Sequence, residues 1–164
     1  MLEVIFGLGS NLNKPVMQLQ NALNNLSMYF ALQKVSNTYK SQSLLKDNQE
    51  DYYNIAVLAK TDKTPQEILS ITQKIEKDMG RIKLKKWGER VIDIDIIDYN
   101  REIFKSDNLE IPHKQMIYRS FVLKPLQDIM PDYIHPELKI SVQDMINNLK
   151  DDYNITICQN KFVF

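Results

Sequence analysis

Residues 2–8 alternate, with apolar side chains at Leu2, Val4, Phe6 and Leu8, and the run stops at Gly9-Ser10-Asn11, the pattern of a strand entering a turn. Pro15 suits a first helical turn, and Leu19, Leu23, Leu26 and Phe30 recur at four, three and four residues, which predicts a helix with one buried stripe. Two strands follow, about 32–40 and 52–60, separated by a polar loop over 41–51 that is long enough to move. Thr64-Pro65-Gln66-Glu67 joins a cap residue, a proline at the first helical position and a glutamate at the third, so a helix begins there, and Gly80 ends it. Its core face is Ile68, Ile71 or Thr72, Ile75 and Met79, with Gln73 and Glu76 sharing a neighbouring face. A basic loop and a strand centred on Asp93 come next, then a short hairpin or irregular strand over 101–112. A helix over about 118–129 is one that Pro125 interrupts or restarts. Ser141 with Asp144 three residues on starts a last helix bearing Val142, Met145, Ile146 and Leu149, and Ile155 and Ile157 suggest a final edge strand.

The order β, α, β, β, α, β followed by a less regular tail predicts an α+β fold. Its expected form is a ferredoxin-like core, a mainly antiparallel sheet flanked by helices in three α/β/α layers. The 164 residues suit one domain, 43% hydrophobic and 26% charged, as in ordinary globular proteins. Lysine plus arginine and aspartate plus glutamate each total 21, so no global field draws the chain to nucleic acid or to an anionic membrane. A lone Cys158 makes no internal disulfide, no stretch approaches membrane-spanning length, and Met1 to Phe6 runs into a strand pattern without a secretion signal; a cytoplasmic location is the expectation.

Candidate chemistry concentrates in Val91-Ile92-Asp93-Ile94-Asp95-Ile96-Ile97-Asp98-Tyr99. On a strand, Ile92, Ile94 and Ile96 go to one face and Asp93 and Asp95 to the other, the two carboxylates about 6.5 to 7 Å apart along the chain. Val91, Ile97 and Tyr99 share the aspartates' face by the same alternation. Two like charges on a half-apolar surface call for a cation between them, and hard oxygen donors suit Mg²⁺, one ion or two, completed by phosphate oxygens. The same pattern also fits an antiparallel strand with a polar outer face. Just upstream, Arg81, Lys83, Lys85, Lys86 and Arg90 face only Glu89, which places strong positive charge beside the pair, as phosphoryl transfer requires; alone, such a run is a solvated loop. Trp87-Gly88 within it reads as an aromatic beside a hinge, suited to a lid, or as a tryptophan docked on the core.

Gly7-Leu8-Gly9-Ser10-Asn11 is not a nucleotide cradle, since Leu12 stands where a dinucleotide motif wants glycine and no Gly-Lys-Ser/Thr follows. His113 and Arg119 are positioned to meet a phosphate, a single histidine being equally often structural. Asn54 lies in an apolar strand, where an amide must find partners and can read a heterocycle's edge, or sits at a strand bulge.

Six blocks in order resemble one family. They are Gly7-Leu8-Gly9-Ser10-Asn11-Leu12, Asp51-Tyr52-Tyr53-Asn54, Gln73-Lys74-Ile75-Glu76 leading to Gly80-Arg81, Trp87 to Ile97, Ile111-Pro112-His113, and Arg119 to Leu126. Together they cover about residues 4 to 132 and make the chain similar to the 6-hydroxymethyl-7,8-dihydropterin pyrophosphokinases of folate biosynthesis. The resemblance implies transfer of the β,γ-diphosphate of ATP to the hydroxymethyl group of the dihydropterin, leaving AMP, with two Mg²⁺ ions bridged by Asp93 and Asp95. It implies a catalytic role for Arg81, Arg90 and Asp95, and an ATP site lined by Gln73, Glu76, Lys83, Arg90, Ile96, His113 and Arg119. It also implies a pterin site of Gly9, Ser41, Leu44, Tyr52, Asn54, Trp87 and Phe121. Lys83 stands where the family commonly has arginine, which turns a forked contact into a point charge. A monomer without nucleic-acid or membrane partners is implied, and because some organisms fuse this family to dihydropteroate synthase, so is a fusion or association with that enzyme. Two rivals are a metal-dependent nucleotidyltransferase, whose Gly-Ser usually lies much nearer its Asp-x-Asp than Gly9-Ser10 does here, and a ferredoxin-like regulatory domain, which would need neither the aspartates nor the cationic loop.

Overall fold

The computed structural model describes residues 1–42, 51–80, 91–150 and 154–164. Its strands are β1 (Leu2–Ser10), β2 (Ala31–Val35), β3 (Thr38–Ser41), β4 (Tyr52–Thr61), β5 (Asp93–Tyr99), β6 (Phe104–Lys105), β7 (Glu110–Ile111) and β8 (Thr156–Cys158). Among the described residues the α-helices are α1 (Pro15–Leu26), α2 (Pro65–Asp78), α3 (Ser120–Ile129) and α4 (Val142–Asn147). The main sheet runs β5-β1-β4-β3-β8, with β2 also on β4, and every pairing is antiparallel. β1-α1-β2/β3-β4-α2-β5 is thus the expected ferredoxin-like unit, its two outer crossovers placing α1 and α2 on one face.

Strand alternation builds the layers. Val4, Phe6, Leu8, Ile55, Val57, Ile94 and Ile96 meet Leu19, Leu23 and Leu26 of α1 and Ile68 and Ile75 of α2. Ile5, Ala56, Leu58 and Ile97 point the other way, to Leu123, Leu126 and Ile129 of α3 and to Val142 and Met145 of α4. Fully burying one such aliphatic side chain is worth about 1.5–3 kcal/mol, so the two cores together hold the three layers.

Helix signals translate directly. Thr64 caps α2 by accepting from Glu67 N at 3.3 Å, and Gly80 closes it at φ 87°, a left-handed conformation that glycine adopts without penalty. Ser141 caps α4 through Asp144 N at 3.1 Å. Three expectations change. The strand read over 32–40 is two, because the chain steps off the ladder at Ser36, whose N–H donates to Ala56 O and whose Oγ accepts from Ala56 N. α3 begins at Ser120, after a 3-10 turn at Met116–Tyr118, and runs unbroken through Pro125. The missing proline N–H removes one rung of the ladder, and the buried Leu123, Pro125, Leu126 and Ile129 offset it. Finally Phe30, though buried, follows the end of α1 and docks through Phe30 N to Leu26 O. Among the described residues no helix is long and apolar enough to cross a membrane.

Candidate active site

β5 carries the aspartates in the alternation expected of it up to Ile96, and then a bulge intervenes. Phe6 lies opposite Ile96 but Ile5 lies opposite Asp98, so one extra residue enters β5. Ile97 and Asp98 therefore both face the α3 layer, whereas Tyr99 crosses to the α1/α2 core and donates its hydroxyl to Lys63 O at 2.9 Å. Tyr99 does not share the aspartates' face, contrary to simple alternation. Asp98 is fully buried, accepting from Tyr133 Oη at 2.8 Å and Arg101 N at 2.9 Å with the Arg101 guanidinium 3.2 Å away. Burial and the Asp98 charge push the Tyr133 hydroxyl well above the ordinary tyrosine range.

Asp93 and Asp95 project to the α3 side of the sheet. Register places Gly9 opposite Asp93 and Gly7 opposite Asp95, then Asn54 beside Gly9 and Tyr39 beside Asn54. The row across the sheet thus reads Asp93, Gly9, Asn54, Tyr39, and Ser41 and Tyr52 pair next along it on the same face. Gly9 matters sterically. A Cβ there would stand 2.5 Å from Asn54 Oδ1, closer than atoms approach, so glycine is what lets the Asn54 amide lie across β1. At Gly7 an added Cβ would meet the Ile97 side chain, Cδ1 at 3.2 Å and Cγ1 at 3.3 Å. Asn54 is 8% exposed, and its Nδ2 is among the buried donors without a hydrogen-bond acceptor within the described residues. A buried unpaired amide donor costs about 1–3 kcal/mol, which a ligand with an acceptor edge would return.

His113 approaches from the segment after β7, beyond a cis Ile111–Pro112 bond, tied by its N–H to Ile97 O at 3.0 Å. Its Nδ1 accepts from Gln115 N at 3.2 Å, so the neutral ring carries its proton on Nε2, which lies 4.0 Å from Asp95 Oδ2. Burial lowers the pKa of His113 against the opposing pull of Asp95, with Arg119 and Lys114 lowering it further. The Arg119 guanidinium sits over the Phe121 ring at 5.6 Å, where α3 begins.

Other expected residues divide as follows. Gln73 is exposed on α2, while Glu76 is 6% exposed and accepts from Ile94 N at 2.9 Å. Ile96 buries its side chain in the α1/α2 core, leaving only its backbone to a ligand on the aspartate face. Leu44, Arg81, Lys83, Trp87 and Arg90 lie outside the described residues, and with them the cationic run and the lid. Residues not singled out from sequence are Asp98 and Tyr133, and Tyr39, whose hydroxyl contacts Asp128 at 2.9 Å. Their partners are 35 and 89 residues away, and no local pattern announces such pairs. Two depressions of about 370 Å³ lie elsewhere, one over the carboxamides of α1 and one between Val35 and Phe164. Neither contains the aspartates.

Among the described residues no three His, Cys, Asp or Glu side chains cluster as a closed metal cage. The donor set instead fits Mg²⁺, which keeps several waters and takes one or two carboxylates plus substrate phosphates. Asp95 is 44% exposed at its side chain, open enough for such a shared shell.

The profile of the 7,8-dihydro-6-hydroxymethylpterin-pyrophosphokinase (HPPK) family matches residues 5–131. The chain belongs to this family. HPPK enzymes are diphosphotransferases that move a pyrophosphoryl group from ATP to hydroxymethyl-dihydropterin in folate synthesis, and this HPPK domain is an enzyme of that kind. It is 38% identical over 153 residues to the 2-amino-4-hydroxy-6-hydroxymethyldihydropteridine pyrophosphokinase of Haemophilus influenzae, covering 92% of this chain and 95% of that one. It is 42% identical over 152 residues to a folic acid synthesis protein of Dictyostelium discoideum, covering 93% of this chain but only 23% of the relative. The fold is that of the HPPK-DHPS of Plasmodium falciparum, wild type, with a TM-score of 0.71 at 19% identity over 90% of this chain and 43% of that one. The chain thus spans nearly the whole of one kind of relative and less than half of another.

Proposed function

We propose that the row Asp93, Gly9, Asn54 is the floor on which this HPPK joins its two substrates, with Asp93 and Asp95 holding two Mg²⁺ ions against the phosphates of ATP. The observation that carries this reading is the placement of both aspartates, the unpaired Asn54 amide and Ser41 and Tyr52 on one sheet face. When bound, the ions neutralise phosphate charge and polarise the β-phosphoryl group. In the reaction the hydroxymethyl oxygen bonds to the β-phosphorus, the bond from that phosphorus to the α,β-bridging oxygen breaks, AMP leaves with that oxygen, and the hydroxyl proton passes to solvent water.

The chain's own groups bind and orient. Asn54 presents its amide to the edge of the pterin, and Tyr52 and Phe121 offer ring faces to a flat heterocycle, with Gly9, Ser41, Leu44 and Trp87 completing that site. On the nucleotide side Arg119 pairs with phosphate and His113 donates from Nε2, Gln73, Glu76 and the Ile96 backbone contribute, and the family resemblance adds Lys83 to the same site. Arg81 and Arg90 stabilise charge as the bridging bond breaks. Holding both reactants on one rigid sheet lowers the barrier without a covalent intermediate. One sheet face supplies groups for both substrates, so we take the domain to act as a monomer in the cytoplasm, alone or joined to a DHPS-like partner as in the Plasmodium relatives.

The direct test is AMP formation from ATP and the pterin alcohol. Asp95→Ala should abolish it while the protein stays folded; retained turnover rejects the assignment.

A further inference from the structure

We propose that Asp128 is a positioning residue for the pterin site, pinning the Tyr39 side chain beside Asn54 so that the Asn54 amide stays turned over Gly9. The inference rests on the reading of Asn54 as a pterin contact. Three donors converge on this one carboxylate. The Tyr39 hydroxyl lies 2.9 Å from both Asp128 oxygens, and Asn37 gives its backbone N–H and its side-chain Nδ2 to Oδ2, each at 3.2 Å. Asn37 stands at the step between β2 and β3, and Tyr39 is in β3, so Asp128 ties α3 to the strand that borders β4. Apolar packing of Leu123, Leu126 and Ile129 draws α3 onto the sheet but has no direction. The carboxylate supplies the direction.

Register shows what that tie acts on. Gly9, Asn54 and Tyr39 are paired neighbours across β1, β4 and β3, so Asn54 has no side chain on one flank and a tyrosine on the other, with Cβ about 4.5–5.5 Å away. Asn54 Oδ1 occupies the space over Gly9. The buried Tyr39 closes the opposite flank as it rises from the sheet to α3. Held in the ladder at its Cα and at Asp128 by its hydroxyl, this side chain is kept from swinging aside and giving the amide a second orientation. Burial, then the bond to Asp128 and its charge, raise the Tyr39 pKa, so the hydroxyl remains a donor at neutral pH. Asp128 is itself exposed, so its loss lets water reach the freed hydroxyl and leaves no hole in the core. Phe121 stands on α3 close to two full turns before Asp128, so the same carboxylate registers the helix that offers a ring face to the heterocycle.

The test compares Asp128→Ala, Asp128→Asn, Tyr39→Phe and Asn54→Ala in the full chain. The pterin alcohol is titrated by calorimetry with Mg²⁺ and a non-hydrolysable ATP analogue present, the analogue is titrated alone with Mg²⁺, and the side-chain amide signals of Asn54 are followed by NMR in the unliganded protein. Asp128→Ala should weaken pterin binding about 5-fold, the scale of one lost hydrogen bond, with analogue affinity within about 2-fold of wild type. The Asn54 Nδ2 signals should shift in Asp128→Ala and in Tyr39→Phe, and combining the two substitutions should weaken pterin binding no further than Asp128→Ala alone. Asp128→Asn keeps an acceptor for Asn37 and can donate to the tyrosine oxygen, so it should recover most of the affinity. Pterin and analogue binding weakened by the same factor would reveal a general loosening of the fold and overturn the proposal. So would unmoved Asn54 signals in Asp128→Ala, or effects of Asp128→Ala and Tyr39→Phe that add. Asn54→Ala separates the two layers of the reading. If it weakens pterin binding while Asp128→Ala binds as wild type, only the positioning role fails; if it leaves pterin binding unchanged, the assignment of Asn54 to the pterin fails with it.

Discussion

The two faces of one sheet do different work with the same strands. On the α1/α2 side, β1 contributes Val4, Phe6 and Leu8, all essentially unexposed, against the leucines of α1 and the isoleucines of α2. On the other side the intervening residues are Ile5, Gly7 and Gly9; only the first is an anchor, packed under α3, and the two glycines leave the sheet low beside Asp95 and Asp93. Side-chain alternation lets one strand be a core element on one face and, on the proposed reading, the floor under the substrates on the other, so that stability and chemistry become separately mutable. That separation is what the following experiments should break or sharpen.

The largest contrast is between Asp95→Ala and any change to the apolar face. Asp95→Ala should lower turnover by about 10²-fold or more, with the thermal midpoint little changed, since removing one of two neighbouring like charges costs the fold nothing; steady-state kinetics and a melting curve check it together. Phe6→Ala is the converse. Deleting a buried phenylalanine costs about 3–5 kcal/mol, seen as a lower denaturation midpoint, while pterin and ATP affinities of the folded fraction stay near wild type.

Gly9→Ala asks whether the glycine exists for Asn54. The new methyl group must displace the Asn54 amide, so pterin affinity by calorimetry should fall about 10-fold, the scale of a lost hydrogen bond, with nucleotide affinity retained. Gly7→Ala should do much less, because the Ile97 side chain can shift. Tyr133→Phe, which removes one donor from the buried Asp98, should cost about 1–3 kcal/mol of stability in denaturant.

Acid sensitivity is the smallest effect. Burial lowers the pKa of both His113 and His135. The unfolded chain therefore takes up protons more readily below the ordinary histidine value of about 6.5. Stability should be full above that pH and decline as pH falls through it. His135→Gln should flatten part of the slope in melts run from pH 7.5 to 5.5.

What could be seen in the sequence follows from range. Thr64 and Glu67, Ser141 and Asp144, and Gly80 are signals whose partners lie within four residues, and these elements begin and end where the pattern places them. The split between β2 and β3, the helix passing through Pro125 and the bulge at Ile97 depend on what lies across the sheet, which periodicity alone does not carry. The same holds in the site. Asp93, Asp95 and Asn54 stand out because their residue types are unusual in apolar strands, whereas the burial of Asp98 under Tyr133 and the bond from Ile94 N–H to Glu76 become visible only once those elements are brought together.

The central claim is tested most directly by thermal shift with a non-hydrolysable ATP analogue, with and without Mg²⁺, on the wild type and on Asp93→Asn/Asp95→Asn. A ligand at 100 times its dissociation constant adds about 2.7 kcal/mol to the folded state. The wild type should gain stabilisation of that order only when Mg²⁺ accompanies the analogue, and the double variant should gain none. Equal stabilisation of both proteins, or a wild-type shift indifferent to Mg²⁺, would contradict the account.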